Sequence, residues 1–126
     1  RVPLLILDPK RRISNQKSLQ PVELLDIYPT LCELAGLDIP EHVEGSSLLG
    51  PATEIDPVAR TQYLRDGFMG NSVRNSRYRY VKWTKRSSNE IVHQELYDYE
   101  KEPLEQTNLV SDPINASVLL ELMKRF

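Results

Sequence analysis

Six cations and no acid lie between Val73 and Arg86, and this run points more directly to chemistry than any other part of the chain. The cations are Arg74, Arg77, Arg79, Lys82, Lys85 and Arg86, with Tyr78, Tyr80 and Trp83 between them. The planar guanidinium of arginine is suited to binding sulfate, phosphate or carboxylate. The segment therefore predicts a local positive field and an anionic partner.

A second interpretation treats the same run as a solvated hairpin whose arginines pair with acids on adjacent strands. The acids available for such pairs are Asp66, Glu95, Asp98 and Glu100. We favour this interpretation for most of the cations. Arg74 is the main exception, since it lies in a short polar strand where burial would force it to be paired. Arg74 and Arg77 are retained as candidates for substrate contact or for locking two domains together.

Aromatic residues alternate through the same half of the chain. They are Tyr63, Tyr78, Tyr80, Trp83, Tyr97 and Tyr99. Such a set can form a surface on which sugar rings stack, although alternating aromatics more often form the core face of a sheet.

The remaining reactive residue types are few. His42 and His93 have no ligand partners at metal-binding spacing, so two surface histidines are expected, with His93 a lesser candidate for ligand contact. Cys32 lies in an apolar helical run and is expected to be a small buried residue. No catalytic triad, paired carboxylates or glycine-rich phosphate loop is present in the sequence. We therefore predict no catalytic residue, metal ligand or cofactor site in this chain itself.

Composition excludes several classes of protein. The chain has 126 residues and a formal net charge of −2, which argues against a nucleic-acid binder. No apolar run approaches the roughly 18–20 residues that cross a bilayer, so no membrane partner is expected. The chain begins at Arg1 without Met, and its first apolar run is too short for an export signal. These features predict a fragment of a longer protein.

The elements that must position these residues fall into two groups. The apolar run Val2–Leu7 predicts a strand buried on both faces. Because Pro3 cannot donate a hydrogen bond to a neighbouring strand, this strand either lies at the edge of its sheet or begins at Pro3. Residues 10–20 predict a surface loop. Apolar spacing predicts a helix from about Asp26 to Ala35, preceded by a 3₁₀ turn from Glu23 and ended by Gly36. Pro29 is compatible with this helix only within its first turn.

Residues 37–59 predict a long connection, held in place by the leucines of the Ser46–Leu49 segment. Beyond it, short strands are predicted at 61–65, 72–75, 77–84 and 94–99, separated by Gly67, Gly70 and polar turns. A last helix is expected with Ser111 or Asp112 as its cap and Pro113 at its first position. Its apolar stripe is formed by Val118, Leu119, Leu122 and Met123. The predicted fold class is α+β, a small antiparallel sheet of three to four strands covered by the C-terminal helix.

Three stretches of this sequence resemble the sulfatase family. The first is the apolar opening at residues 1–6, and the second is residues 22–37 followed by Pro40 and the Gly-x-Ser-Leu run at 45–48. The third begins with Arg-x-x-Arg-Tyr-Arg-Tyr at 74–80. It continues as Glu-Leu-Tyr-Asp-Tyr at 95–99, then Pro103, Glu105 and the Asn-Leu pair at 108–109. The sequences Asp-Ile-Tyr-Pro-Thr-Leu and Ser-Val-Arg are most similar to those of the iduronate-2-sulfatase branch.

The resemblance implies a parent enzyme that hydrolyses sulfate esters, of sulfated glycans in particular. Such a parent uses calcium and a formylglycine made from a Cys/Ser-x-Pro-x-Arg motif, and neither that motif nor Asp-His-Gly occurs here. The family pattern often has Asp where this chain has Glu102. The resemblance further implies an N-terminal remainder as partner, a sulfated carbohydrate as substrate, and a periplasmic or secreted parent.

The expected division places residues 1–59, a strand, a helix and a long loop, in the tail of a large α/β domain. Residues 60–126 would form the C-terminal antiparallel-sheet subdomain. On this interpretation the chain supports the substrate cleft and domain packing, and is inactive alone. Two alternatives stay open: a stand-alone module that binds anions or glycans, and a relic of a related phosphodiesterase or phosphatase.

Overall fold

The computed structural model describes residues 3–8, 10, 17–49 and 57–126. These residues fall into two compact units, described separately below. One unit contains the first helix with the loop that follows it, and the other contains residues 20–23 and the sheet with the last helix. The predicted boundary at residue 59 stays a prediction.

Helix α1 spans Ile27–Ala35 and follows a 3₁₀ turn at Leu24–Asp26, as predicted. Pro29 is the third residue of α1, where its missing N–H leaves no intrahelical hydrogen bond unmade. Gly36 ends the helix in the left-handed conformation with φ of 71°. Cys32 is buried and makes no disulfide, which confirms it as a small core residue.

The loop after α1 is tied back to the helix by backbone amides. Ser46 N donates to Asp26 Oδ1 at 2.9 Å, and Leu48 N donates to Thr30 Oγ1 at 3.0 Å. Leu48 and Leu49 are only half-buried, so these two hydrogen bonds fix the loop more than the predicted apolar anchoring does.

Gly45 is required where this loop approaches the start of α1. A Cβ at this position would lie 2.2 Å from the carbonyl oxygen of Leu25, which is backbone and has no room to move aside. We expect Gly45→Ala to destabilise the loop by about 1–2 kcal/mol, the usual cost of overpacking. Faster hydrogen exchange at the Ser46 and Leu48 amides measures this effect.

Gly36 supplies the matched control for that variant, because Gly36→Ala strains a positive φ without any steric neighbour within 4 Å. The control should fray the end of α1 while the two loop amides stay protected. Equal exchange in Gly45→Ala and the unchanged protein would contradict the prediction.

The predicted strand at Val2–Leu7 is not confirmed. Residues 3–8 form neither helix nor strand, and Leu5 and Leu7 are largely exposed. A strand of a covered sheet needs neighbouring strands for its backbone hydrogen bonds, and the residues described here supply none beside this segment. Val2 and most of the predicted loop at 10–20 lie outside the described residues, as do residues 50–56 of the long connection.

Four antiparallel strands form one sheet in the order β1-β2-β3-β4. They are β1 (Ala59–Arg65), β2 (Phe68–Arg74), β3 (Tyr78–Lys85) and β4 (Ile91–Asp98). The predicted meander is confirmed, although β1, β2 and β4 each begin earlier than predicted. Asp66 and Gly67, with φ of 46° and 83°, form the two-residue turn between β1 and β2.

Gly70 was predicted to separate strands and instead lies inside β2, opposite Trp83 of β3. A Cβ at Gly70 would stand 2.9 Å from two carbons of the indole ring. The glycine therefore provides space for a neighbouring side chain, which is a recognised use of glycine within a strand.

Helix α2 (Ala116–Met123) covers one face of the sheet, as predicted. A 3₁₀ turn at Pro113–Asn115 precedes it, and Asp112 caps that turn by accepting from Ile114 N at 3.1 Å. The core consists of Val58, Val73, Tyr80, Leu96 and Leu122. In the part of the chain with described coordinates, no helix is long and apolar enough to cross a bilayer.

Candidate functional site: the outer face of the sheet

The outer face of the sheet is the side turned away from the core. Because side chains alternate along a strand, the residues between core positions Val73, Tyr80 and Leu96 point to this side. Its members include Arg74, Arg79, Tyr97, Ser72, Val81, Glu95, Gly70, Trp83 and His93. The aromatics are therefore divided between both faces, with Tyr80 fully buried in the core and Trp83 and Tyr97 on the outer face.

At the end of this face, one arginine binds a carboxylate and a second arginine stacks on a neighbouring tyrosine. Arg79 Nη1 donates to both oxygens of Glu105, at 2.8 and 2.7 Å, and Tyr99 donates its hydroxyl to the same carboxylate. The guanidinium carbon of Arg74 lies 3.7 Å from the centroid of the Tyr99 ring. This arginine cluster is held by β2, β3 and the segment after β4.

The electrostatics of the cluster match its geometry. Burial alone would raise the pKa of Glu105, but hydrogen bonds from Tyr99 and Arg79 outweigh burial and lower it. Burial would likewise lower the pKa of Arg79, and the bonds to Glu105 reverse the direction and raise it. The carboxylate is thus kept ionised and occupied by groups of this chain.

Arg77 is paired within the fold. Its Nε and Nη2 donate to the two oxygens of Asp98, at 3.0 and 2.8 Å, and its Nη1 lies 2.9 Å from Glu100 Oε2. The hydrogen bonds from Arg77 outweigh burial and lower the pKa of Asp98, whose side chain is fully buried. Two of the acids that the hairpin interpretation makes available to the arginines, Asp98 and Glu100, therefore pair with Arg77.

A second polar group surrounds Trp83 near the middle of the outer face. The indole Nε1 donates to Glu95 Oε1 at 3.2 Å, and the Tyr97 hydroxyl donates to Glu95 Oε2 at 2.8 Å. His93 Nε2 lies 3.5 Å from Glu95 Oε1. Burial and the bond to Glu95 raise the pKa of Tyr97 to about 12, so its hydroxyl stays protonated and can donate.

The structure does not bring the three sequence candidates together. Arg74 stacks on Tyr99, Arg77 binds Asp98 at the end of β4, and His93 stands beside Glu95 next to Trp83. Their roles in substrate contact or domain locking stay predictions. Sequence reasoning missed Glu105 as the partner of Arg79, because Glu105 lies 26 positions away in a segment without periodicity.

Asn108 is a further residue that sequence reasoning left without a role. Its Oδ1 accepts from Leu96 N at 3.0 Å and from Val110 N at 3.1 Å, while its Nδ2 donates to Gln94 O at 3.0 Å. Leu109 N then donates to Leu96 O at 2.8 Å. The Asn-Leu pair therefore attaches the segment before α2 to the edge of β4.

Glu102 fixes the turn that leads to this segment. Its carboxylate accepts from the amides of Leu104 and Gln106. In the segment from Asp98 to Leu109, side chains thus repeatedly form hydrogen bonds with backbone groups. The residues of the motif that resembles the sulfatase ending therefore make structural contacts at these positions.

Within residues 3–8, 10, 17–49 and 57–126, no group of three or more histidines, cysteines or acidic residues could hold a metal ion. These residues do not fit the calcium site that the resemblance assigns to a parent enzyme. No step of chemistry is therefore derived through calcium or formylglycine for this chain.

Comparison with solved structures defines the class of protein. A structure described as a 2-O GAG sulfatase superposes with a TM-score of 0.67 and 30% identity, over 79% of this chain and 22% of that one. The α+β unit described above is thus shared with sulfatases. The model of the family "N-sulphoglucosamine sulphohydrolase, C-terminal" matches residues 1–126, and the chain belongs to this family.

Curated relatives agree with this assignment. Arylsulfatase K of Xenopus laevis is 31% identical over 86% of this chain, and a Delta 4,5-hexuronate-2-O-sulfatase of Bacteroides thetaiotaomicron is 32% identical over 77%. The chain spans only about a fifth of these relatives, 22% and 21% respectively, which is consistent with its being part of a larger enzyme.

Proposed function

We propose that this chain is the C-terminal portion of a sulfatase whose parent hydrolyses sulfate esters of glycans, with an iduronate-2-sulfatase-like preference. In that enzyme the chain supports the substrate cleft and the packing between domains. The observation that carries the proposal is the match of a C-terminal sulfatase family over the full sequence, together with the one-fifth coverage of curated sulfatases.

The internal contacts of the sheet unit favour a supporting role over a catalytic one. Arg77 and Arg79 are each bound to a carboxylate of this chain, and the aromatic Tyr99 is covered by Arg74. Groups satisfied in this way rigidify a scaffold and leave few donors for a reacting sulfate. Arg74 stacks on Tyr99, and the proposal keeps it as the candidate arginine for contact with a cleft or a domain boundary.

The chemistry itself is assigned to the N-terminal remainder of the parent. The proposal places the formylglycine nucleophile and the calcium ion there, since this sequence has no Cys/Ser-x-Pro-x-Arg motif. A periplasmic or secreted location of the parent belongs to the same proposal.

The test compares this chain with the product of the whole reading frame that encodes it. We expect the full product to release sulfate from a disaccharide with a 2-O-sulfated Δ4,5-hexuronate. We expect the 126-residue chain to release none, because it has neither nucleophile nor metal ligands. Sulfate release is measured by ion chromatography, with and without a calcium chelator.

The sequence upstream of Arg1 provides an independent check on this comparison. A Cys/Ser-x-Pro-x-Arg motif in that region would agree with the proposal, and metal-dependent turnover by the chain alone would refute it. A reading frame that begins at or just before Arg1, with a monodisperse monomer that binds sulfated oligosaccharide, would favour the stand-alone binding module instead.

A further inference from the structure

A groove crosses the outer face at the end of the sheet nearest the Asp66-Gly67 turn. It has a volume of about 370 Å³ and is lined by Arg65, Asp66, Phe68, Trp83, Val92 and His93. Trp83 belongs to the aromatic set that the sequence offers for sugar stacking, and His93 is a candidate for ligand contact, but the supporting role proposed above uses neither of them.

The indole of Trp83 is fixed in this groove from two sides. Beneath it lies Gly70, where any side chain would collide with the ring, and at its edge Nε1 donates to Glu95 at 3.2 Å. Glu95 is itself held by the Tyr97 hydroxyl. A ring held in place before a ligand arrives loses little conformational entropy on binding, which favours affinity.

The registers of the strands place basic side chains around these aromatic rings. Arg65 of β1 and Lys85 of β3 flank Phe68 of β2, one on each side, and His93 of β4 lies opposite Trp83. Arg65 contacts Asp66 at 3.4 Å, but both side chains are well exposed, so this ion pair is weak and exchangeable. Two aromatic rings with cations beside them suit a ligand that has both an apolar face and a negative charge.

We propose that this groove binds an anionic pyranose ring of a sulfated glycan, with the apolar face of the sugar against Trp83 and its sulfate or carboxylate against Arg65, and with Lys85 on the far side of Phe68 adding positive charge. Stacking on an aromatic ring provides contact area, and the guanidinium provides paired hydrogen bonds to the anion. Asp66 accepts from a sugar hydroxyl. This inference rests on the proposed glycan sulfatase function, and it concerns binding at a site separate from the chemistry.

Trp83 makes the first test direct, because it is the only tryptophan in the chain. The probe is the disaccharide with a 2-O-sulfated Δ4,5-hexuronate, titrated into the 126-residue protein while tryptophan fluorescence is recorded. We expect a saturable change in emission, at least about fivefold weaker binding of the unsulfated disaccharide, and no change with inorganic sulfate alone. No saturable change with the sulfated probe would overturn the proposal.

Matched double variants separate the groove from general charge. Arg65→Gln with Lys85→Gln should weaken binding of the probe by about fivefold or more. Lys101→Gln with Lys124→Gln removes the same charge at exposed positions outside the groove lining and should leave binding unchanged. Equal weakening by both pairs would overturn the proposal, since it would show nonspecific attraction.

The same pairs in the full reading-frame product distinguish this inference from the proposed function. We expect the groove pair to raise the KM for a sulfated oligosaccharide long enough to occupy both the groove and the active site by about fivefold with kcat unchanged, as loss of uniform binding does. If the full product carrying the groove pair is an active sulfatase with an unchanged KM, the proposed binding in the groove is wrong and the proposed function stands. Binding in the groove by a full product without sulfatase activity would overturn the proposed function alone.

Discussion

Asp98→Ala should lower the free energy of unfolding of the sheet unit by about 3 kcal/mol, at the lower end of the cost of breaking a buried ion pair. The carboxylate of Asp98 is fully buried and accepts from two nitrogens of Arg77 and from Glu100 N at 3.1 Å. Arg77 is more than one third exposed, so water would partly replace its lost partner and limit the effect. Urea unfolding followed by Trp83 fluorescence measures the change.

The same contact predicts how stability depends on pH. Because the Arg77 hydrogen bonds outweigh burial, the pKa of Asp98 in the folded protein lies below its ordinary value of 3.8. Its stabilisation is therefore fully present above that ordinary value and is lost as the pH falls through the lower folded-state value. The unchanged protein should lose this part of its stability in acid, and Asp98→Ala should not.

Glu100→Gln is the matched control, because Glu100 contacts the same arginine from a mostly exposed position. It should change stability little at neutral pH. An Asp98→Ala protein as stable as the control, or with the same acid dependence as the unchanged protein, would contradict the assigned role.

Asn108→Ala is the second variant with a large expected effect. The amide side chain makes three hydrogen bonds to backbone groups of Gln94, Leu96 and Val110. Asn108 is exposed, so water replaces part of these bonds, and the sheet unit should lose about 1–2 kcal/mol. The Leu96 amide should lose its protection from hydrogen exchange, because that amide donates to the Asn108 side chain.

Gln106→Ala serves as the control in the same segment, since the Gln106 side chain is exposed. It should leave both the urea midpoint and the Leu96 amide unchanged. Protection of Leu96 that survives in Asn108→Ala would show that the segment is held to β4 by other contacts.

Local sequence signals predicted most of the elements. The 3.6-residue spacing and the place of Pro29 in the first turn gave α1, and alternating side chains with polar turns gave the four strands. Gly70 was misjudged because a glycine that makes room for a neighbouring ring has the same sequence appearance as one in a turn. The strand at Val2–Leu7 failed for a different reason, since a strand exists only with partners.

The candidate site was less predictable because its contacts join residues far apart in the sequence. Pairing between arginines and acids of adjacent strands follows from the sequence in general terms, and Arg77 with Asp98 is one such pair. Arg79 with Glu105 instead depends on the segment after β4 folding back towards β3, and the two residues are 26 positions apart. Nothing in the local pattern indicates that Glu95 would hold Trp83, or that Gly70 would lie beneath the ring. Such arrangements follow from strand register, which single-sequence periodicity does not specify.

Asn108 also makes the two edges of the sheet unequal. By occupying backbone groups at Gln94 and Leu96, it blocks that part of β4 against pairing with another chain. At the opposite edge, β1 pairs only with β2 among the described residues, and six of its seven residues are exposed. The edge along β1 is therefore the more accessible of the two, although Glu23 accepts from the Arg60 amide there, and the exposed charge of Arg65 discourages pairing with another chain.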